Sequence, residues 1–208
     1  RRSGIVRLEI EDGVSEPLLA LLVSRLGVTS DDVYRIRGPV DIRPLLPLVD
    51  LPALEDLRDA PLKPQPVIEA AGPELFALLD ERDVILHHPY ESFDPVVALM
   101  SAAAEDPDVL AIKQTLYRTS GDSPVVRSLA RAAENGKQVT VLVELLARFD
   151  EQSNIRWARR LEESGCHVIY GIRGYKTHSK IALVVRRGRQ GIRRYVHLGT
   201  GNYNEKTA

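Results

Sequence analysis

The protein has 208 residues, of which 44% are hydrophobic and 27% are charged, and its formal net charge is −1. This composition is that of a globular protein with a sizeable core, and it excludes a disordered or a collagen-like chain. No apolar run approaches the ~20 residues that a membrane-spanning helix needs, so the sequence predicts no transmembrane segment.

The N-terminal residues and the cysteine content indicate a reducing compartment. Arg1 and Arg2 precede an amphipathic, strand-like stretch, whereas a signal peptide would continue into an unbroken apolar region. The single cysteine, Cys166, has no partner for an internal disulfide. We therefore expect a protein without a cleaved secretion signal.

Charge is distributed unevenly along the chain. Residues 1–80 hold nine Lys and Arg against fourteen Asp and Glu, a net charge of −5, whereas residues 81–208 hold nineteen against fifteen, a net charge of +4. A basic segment attracts anionic ligands through its local field. We expect an anion-binding site in the C-terminal part, with chance variation between segments as the alternative.

The N-terminal segment is predicted to form a strand, a helix and a second strand. Apolar and charged residues alternate over Val6–Ile10, which is typical of a half-buried strand. An apolar run over Leu18–Leu26 follows Ser15, a helix-capping residue, and precedes Gly27, a helix-ending one. Asp32–Ile36 is a weaker strand candidate.

A proline-rich stretch follows and marks the predicted domain boundary, because Pro61–Pro66 suits an extended connector. Beyond Asp83, strands and helices alternate regularly. The predicted elements, in chain order, are a strand over Val84–Leu86, a helix from Asp94, a strand over Val109–Tyr117, a helix from Pro124 to Asn135, a strand over Gln138–Leu145, a helix over Ser153–Ser164, and strands over Cys166–Tyr170, Lys180–Val185 and Ile192–Leu198.

This alternation predicts an α/β fold with a mainly parallel sheet that helices cover on both faces, and the final hairpin makes the sheet mixed. Ligands of such sheets bind beyond the carboxyl ends of the strands. The loops 117–123 and 146–153 and the region 175–180 are therefore the candidates for chemistry.

Two side chains in the last of these regions suit phosphoryl transfer. His178 and Lys180 lie two residues apart at the start of a predicted strand, so their side chains leave the same face. An ammonium group disfavours protonation of a neighbouring imidazole and can neutralise a phosphoryl oxygen while the imidazole attacks phosphorus. Because H-x-K is a common tripeptide, an ordinary polar strand start is the alternative.

A glycine-rich loop from Gly199 to Asn202 follows the last predicted strand. Its glycines let backbone amides approach an anion, and the Asn202 amide can donate to phosphate or orient an imidazole. Together with H-x-K across a hairpin, the loop resembles the half-site of the phospholipase D superfamily, whose histidine forms a phosphoryl-enzyme intermediate. That superfamily's usual signature has an aspartate five residues after the lysine, where this chain has Val185, which argues against a standard lipase or nuclease.

Five longer motifs indicate a divergent branch of that superfamily. They are Ile85–Phe93 (ILHHPYESF), Ala111–Arg118 (AIKQTLYR), Ala147–Glu151 (ARFDE), Lys176–Lys180 (KTHSK) and His197–Ala208 (HLGTGNYNEKTA). Through nearly all of 81–208 the sequence resembles polyphosphate kinase of the first type.

The resemblance implies a domain organisation. Residues 1–60 would be the C-terminal part of the family's head domain, a small α+β segment, residues 61–80 a linker, and residues 81–208 the phospholipase D-like C1 catalytic domain, truncated at its C-terminus. The family's N-terminal domain, most of its head domain and its second phospholipase D-like half would then lie outside this chain.

The resemblance also implies an activity, namely reversible transfer of the terminal phosphate of ATP to inorganic polyphosphate, with Mg²⁺, through a phosphohistidine. The family's catalytic histidine falls on His178, with Lys180 and Asn202 holding the transferred phosphoryl group. Two arginines that the family associates with Mg²⁺ fall on Arg118 and Arg148. Because a guanidinium offers only donors, we interpret both as clamps on the phosphate oxygens that the metal also binds.

The resemblance further implies a cytoplasmic homo-oligomer, with peripheral membrane attachment as an alternative, which binds ATP or ADP and polyphosphate and does not bind nucleic acid. The spacing of the candidate residues agrees with one shared site, because Arg118, Arg148 and His178 are separated by equal intervals of 30 residues, the length of one β-α-β step. Three strand ends can therefore converge on one anion, although arginines at such positions are more often ordinary surface residues.

Two other functions remain open at this point. One is a phospholipase D-like phosphodiesterase that acts on lipid or nucleic acid, against which Val185 counts. The other is a catalytically silent polyanion-binding half-domain, since sites of this kind are assembled from two halves. On that ground we expect the isolated 208-residue chain to be inactive.

Overall fold

The computed structural model describes residues 4–70, 72–118, 123–144 and 151–204, with the main chain alone for 151–153. The chain divides into two units, Arg1–Pro61 and Leu62–Ala208. None of the helices in these described ranges combines the length and the apolar character that crossing a membrane requires.

The first unit is a β-α-β arrangement followed by short helices. Its elements are β1 (Leu8–Glu11), α1 (Glu16–Leu26), a 3-10 turn (Ser30–Asp32), β2 (Val33–Ile36) and two 3-10 helices (Arg43–Asp50 and Pro52–Leu57). β1 and β2 pair in parallel. Gly27 ends α1 with φ of 66°, a conformation that a residue with a Cβ rarely adopts. Ile10 and Val28 are the buried apolar residues among the described part of this unit, so its core is small.

The second unit contains a five-stranded mixed sheet. Its elements are α2 (Pro73–Glu81), α3 (Asp94–Glu105), β3 (Val109–Leu116), α4 (Pro124–Glu134), β4 (Gln138–Val143), α5 (Glu151–Glu163), β5 (His167–Tyr170), β6 (Lys180–Gly188) and β7 (Gly191–Gly199). The strand order is β5-β4-β3-β6-β7. β3, β4 and β5 are parallel, and β6 and β7 are antiparallel to their neighbours. The predicted α/β class and the mixed sheet flanked by helices are confirmed.

The alternation of side chains along the strands decides where the core lies. Ile112, Gln114 and Leu116 of β3 are buried, whereas Lys113 is exposed and Thr115 is only partly covered. β4 and the first half of β6 alternate in the same way, and Tyr195 is the buried residue of β7, so the buried side chains line one face of the sheet. The expectation that both faces are covered is therefore wrong for the described residues. The largest fully buried side chains of the core include Phe76, Met100, Ile112, Leu129 and Leu161.

Two local predictions differ from the structure. Val84–Leu86 is irregular, and Ile85 has 89% of its surface exposed, because this three-residue apolar run pairs with no strand among the described residues. The segment 61–80 is not extended throughout, since Pro73–Glu81 forms α2 and places Leu75 and Phe76 in the core. Pro73 occupies the start of that helix, where a missing N–H costs nothing.

Gln114 is the one core residue of β3 whose polarity is not matched by its surroundings. It is 3% exposed, and neither its Nε2 nor its Oε1 has a hydrogen-bond partner among the described residues. Its neighbours across the strands are Val141 and Ala182. A buried amide without partners forfeits its hydration without compensation.

We expect Gln114→Met to raise the free energy of unfolding by about 1–3 kcal/mol, since methionine keeps the length of the side chain and removes both polar atoms. Urea denaturation measures this change. Gln138→Met, at an exposed position of β4, is the control and should alter stability by less than about 0.5 kcal/mol. A loss of stability in Gln114→Met would contradict the expectation.

Candidate active site

One edge of the sheet collects the residues that the sequence analysis selected. β3 and β4 end there, and Tyr117 and Glu144 follow their last residues. β6 runs antiparallel to β3, so its first residue, Lys180, lies at this same edge, and Gly199, the last residue of β7, pairs with it. The topology therefore brings the segments 117–118, 144, 176–180 and 199–202 to one place.

His178 and Lys180 are in contact. Lys180 Nζ lies 3.1 Å from both ring nitrogens of His178 and donates to the His178 carbonyl oxygen at 2.6 Å. His178 is exposed, whereas Lys180 is 5% exposed. Burial lowers the pKa of the Lys180 ammonium from its ordinary value. The arrangement presents an accessible imidazole with a cation held against it.

Thr115 holds the main chain on both sides of Lys180. Its hydroxyl donates to the Ser179 carbonyl oxygen at 2.7 Å and accepts from the Ile181 N–H at 3.0 Å. These two side-chain bonds add to the main-chain hydrogen bonds between β3 and β6 at the point where β6 begins. Nothing in the sequence distinguishes Thr115, because a threonine in a strand is ordinary and its partners lie more than sixty residues away.

Two further buried polar residues, Glu144 and Asn154, were also missed. Glu144 directly follows the apolar strand β4, and its Oε2 accepts the main-chain N–H of Thr177 at 2.8 Å. Asn154 of α5 donates through Nδ2 to the carbonyl oxygens of Tyr117 and Glu144, at 2.8 and 2.9 Å. Both side chains are 3% exposed. The sequence offers one signal for Glu144, which is an acidic residue at the end of an apolar run. It offers no such signal for Asn154.

Asn202 borders a cavity of about 750 Å³. The cavity is lined by residues 84–89, Phe93 and residues 197–202. The Oδ1 atom of Asn202 is buried and finds no hydrogen-bond partner in the part of the chain that the structure describes. A Cβ on Gly199 would lie 3.2 Å from the His197 ring and 3.7 Å from Lys180 Cβ, so a larger residue there would crowd both side chains.

His197 packs beside this loop. Its Nδ1 lies 2.9 Å from the Tyr203 hydroxyl. Burial, together with the nearby His88, lowers the pKa of His197, and burial raises the pKa of Tyr203. The pair is therefore a neutral hydrogen-bonded unit near neutral pH. The thiol of Cys166, which directly precedes β5, is buried, and this burial raises its pKa to about 11.

Of the two predicted arginines, the structure describes Arg118, which directly follows Tyr117 at the carboxyl end of β3 and is partly buried. Arg148 lies outside the described residues. In those that are described, no group of three or more His, Cys, Asp and Glu side chains is placed to hold a metal ion.

Comparisons with known proteins give one consistent family. Residues 74–208 match the sequence model of a family described as polyphosphate kinase C-terminal domain 1. A polyphosphate kinase of Halalkalibacterium halodurans is 57% identical over 207 residues, which are 98% of this chain and 29% of that protein.

One solved structure agrees with this family. The crystal structure of polyphosphate kinase from Porphyromonas gingivalis matches 97% of this chain and 31% of its own, with a TM-score of 0.67 and 33% identity. A phospholipase D family member from Salmonella typhimurium matches 48% of this chain with a TM-score of 0.35 and 13% identity, which is too low to support an argument. The chain spans about three tenths of the length of the polyphosphate kinases that it matches.

We expect Asn154→Ala to lower the free energy of unfolding by about 1–3 kcal/mol, because it leaves two carbonyl oxygens at the strand ends without their donor. Urea denaturation measures the loss. Asn135→Ala is the matched control, since the Asn135 amide bonds one main-chain carbonyl, that of Ala104, at a less buried place, and it should cost clearly less. Equal losses in the two variants would contradict the special role of Asn154.

Proposed function

Because the chain belongs to the polyphosphate kinase family, we propose that the natural polypeptide carrying it transfers the terminal phosphate of ATP to inorganic polyphosphate, reversibly, through a phosphohistidine at His178. Membership of this family supports phosphate transfer as the type of reaction, since the relatives are named polyphosphate kinase. The assignment to His178 rests on the residues of this chain.

The observation that carries the proposal is the contact between the His178 ring and the buried Lys180 ammonium, 3.1 Å from each ring nitrogen. The contact places the ammonium beside the ring nitrogens, so a phosphoryl group joined to one of them would lie within reach of this cation. The same ammonium is available to a phosphoryl oxygen, where negative charge accumulates during transfer.

The proposed reaction has two steps. In the first, a ring nitrogen of His178 forms a bond to the γ-phosphorus of ATP, the bond from that phosphorus to the β–γ bridging oxygen breaks, and ADP leaves with the electron pair. In the second, a terminal oxygen of polyphosphate attacks the phosphohistidine, the N–P bond breaks, and its electron pair returns to the ring. The chain is longer by one phosphate, and the reverse sequence makes ATP from ADP.

The other predicted residues receive roles that match their chemistry. We assign Arg118 and Arg148 to the phosphate oxygens, which a guanidinium fork binds well. The amide N–H of Asn202 suits a phosphoryl oxygen, whereas its buried Oδ1 is an acceptor and suits an imidazole N–H. Mg²⁺ would be held through the phosphate oxygens of ATP that the two arginines also bind, since a guanidinium offers only donors and cannot itself ligate a metal ion.

The two alternatives are less well supported. A phosphodiesterase with the usual signature of that superfamily would have an aspartate at position 185, where this chain has Val185. A silent polyanion-binding half-domain would bind polyphosphate without forming any phosphohistidine. Detection of a phosphohistidine therefore separates these functions.

We expect His178→Ala to abolish the acid-labile phosphoenzyme that forms when the natural polypeptide is incubated with ATP, because the attacking nitrogen is lost. Mass spectrometry at neutral to alkaline pH should locate the phosphate on His178 in the unaltered protein. His167→Ala, at an exposed position of β5, is the control and should keep full phosphorylation. Acid-labile phosphate on the His178→Ala protein would overturn the assignment.

We expect the rate of phosphoenzyme formation to fall on the alkaline side as Lys180 loses its proton. Burial lowers the pKa of this lysine, so the fall should begin at a lower pH than an ordinary lysine would produce. Lys180→Arg should remove the fall, since a guanidinium stays protonated.

Lys180→Met should reduce the rate about 10²–10³-fold through loss of the charge. Lys113→Met, at an exposed position of β3, is the control and should leave the rate unchanged. Initial rates measured from neutral to strongly alkaline pH test both expectations. An identical alkaline fall in the Lys180→Arg protein would show that another group titrates.

A further inference from the structure

The aromatic ring of Tyr117 lies at the centre of the candidate site. It follows the last residue of β3, and its carbonyl oxygen is held by the Asn154 amide at 2.8 Å. Its ring makes an edge contact with the His178 ring, with centroids 5.0 Å apart and an interplanar angle of 76°. Three cationic groups lie over the same ring, those of Lys180 at 5.2 Å, Lys176 at 5.7 Å and Arg118 at 5.7 Å from its centroid.

These distances are those of cation–π contacts, which form when a cation lies within about 6 Å of a ring centroid. The face of the ring carries the negative part of the aromatic quadrupole and attracts the cations. Among the described residues, neither Lys176 nor Lys180 forms a salt bridge with a carboxylate. The Tyr117 ring therefore stabilises the two ammonium groups electrostatically, as an acidic side chain commonly does for a lysine.

The difference between a ring and a carboxylate matters at a phosphate site. A carboxylate beside Lys180 would cancel its charge and would repel an incoming phosphoryl group, as two like charges do. An aromatic face carries no net charge, so it stabilises the ammonium and leaves the positive field intact. Glu144, the acidic residue that follows β4, accepts the main-chain N–H of Thr177.

We propose that Tyr117 is a positioning residue, which holds Lys176 and Lys180 over its face and orients the His178 ring by edge contact, and which does so without adding negative charge to the site. The contacts of the Tyr117 ring are independent of the proposed function, whereas their consequence for catalysis rests on it. Tyr117 acts through its neighbours and is assigned no bond to substrate.

The test compares two substitutions at one position. Tyr117→Phe keeps the aromatic face and removes the hydroxyl, whereas Tyr117→Leu keeps apolar bulk and removes the face. Tyr90→Leu is the matched control, since Tyr90 makes a similar edge contact with His87 at 5.0 Å and lies in none of the cation contacts described above.

The first measurement is an NMR titration of lysine side chains in the 208-residue chain, which needs no activity. His178 lies against Lys180, Lys176 and Arg118 share the Tyr117 ring with it, and Glu144 bonds the Thr177 N–H in the same segment. We expect Tyr117→Leu to shift the Lys180 titration down by about 0.4–1.5 pH units, and Tyr117→Phe and Tyr90→Leu to leave it in place. An unshifted titration in Tyr117→Leu would overturn the proposal.

The second measurement is the rate of phosphohistidine formation in the natural polypeptide. Tyr117→Leu should reduce the rate about tenfold and move its alkaline fall to lower pH, with Tyr117→Phe near the unaltered rate. If Tyr117→Leu does not fold, ring-fluorinated phenylalanines replace it, since fluorine weakens the negative face at nearly constant shape, and the rate should fall with each fluorine.

The two proposals fail in different ways. Absence of phosphohistidine from the unaltered protein would refute the proposed function, while the lysine titration would still decide the role of the ring. Equal rates and equal pH profiles in Tyr117→Leu and the unaltered protein, with phosphate on His178, would refute the role of Tyr117 alone.

Discussion

The antiparallel pairing of β6 with β3 is the contact on which the candidate site depends. In a parallel arrangement the first residue of β6 would lie at the opposite edge, far from the ends of β3 and β4. The reversal brings Lys180 level with the end of β3. Thr115 then reinforces the pairing through the Ser179 carbonyl oxygen and the Ile181 N–H. His178, the proposed nucleophile, and the carboxyl ends of β3 and β4 are thereby held together.

A second constraint concerns charge. The site gathers cations, and the buried one, Lys180, loses hydration without gaining a salt bridge among the described residues. Burial of an unpaired charge is unfavourable. The Tyr117 ring and the His178 ring offset part of that cost without adding negative charge. The acidic residue at this edge, Glu144, bonds the main chain of the segment that carries His178, so its carboxylate serves to place that segment.

Much of the fold followed from sequence patterns, and the failures have physical causes. The helices and strands after Asp94 follow their predicted order, because the hydrophobic periodicity and the helix-capping residues give strong signals there. Val84–Leu86 was predicted as a strand from apolar character alone, yet a strand needs a partner with matching register. The helix Pro73–Glu81 was hidden in a proline-rich context, although its amphipathic sequence buries Leu75 and Phe76.

The sequence alone determined the local parts of the site, namely the H-x-K pair, the arginine after β3 and the glycine loop after β7. Residues two apart on one strand share a face whatever the rest of the chain does. The tertiary structure decided which other groups surround them. Thr115, Tyr117, Glu144 and Asn154 reach the segment 176–181 or the ends of the strands from positions 10 to 66 residues away. Such contacts depend on strand order and register, and local periodicity contains no information about either.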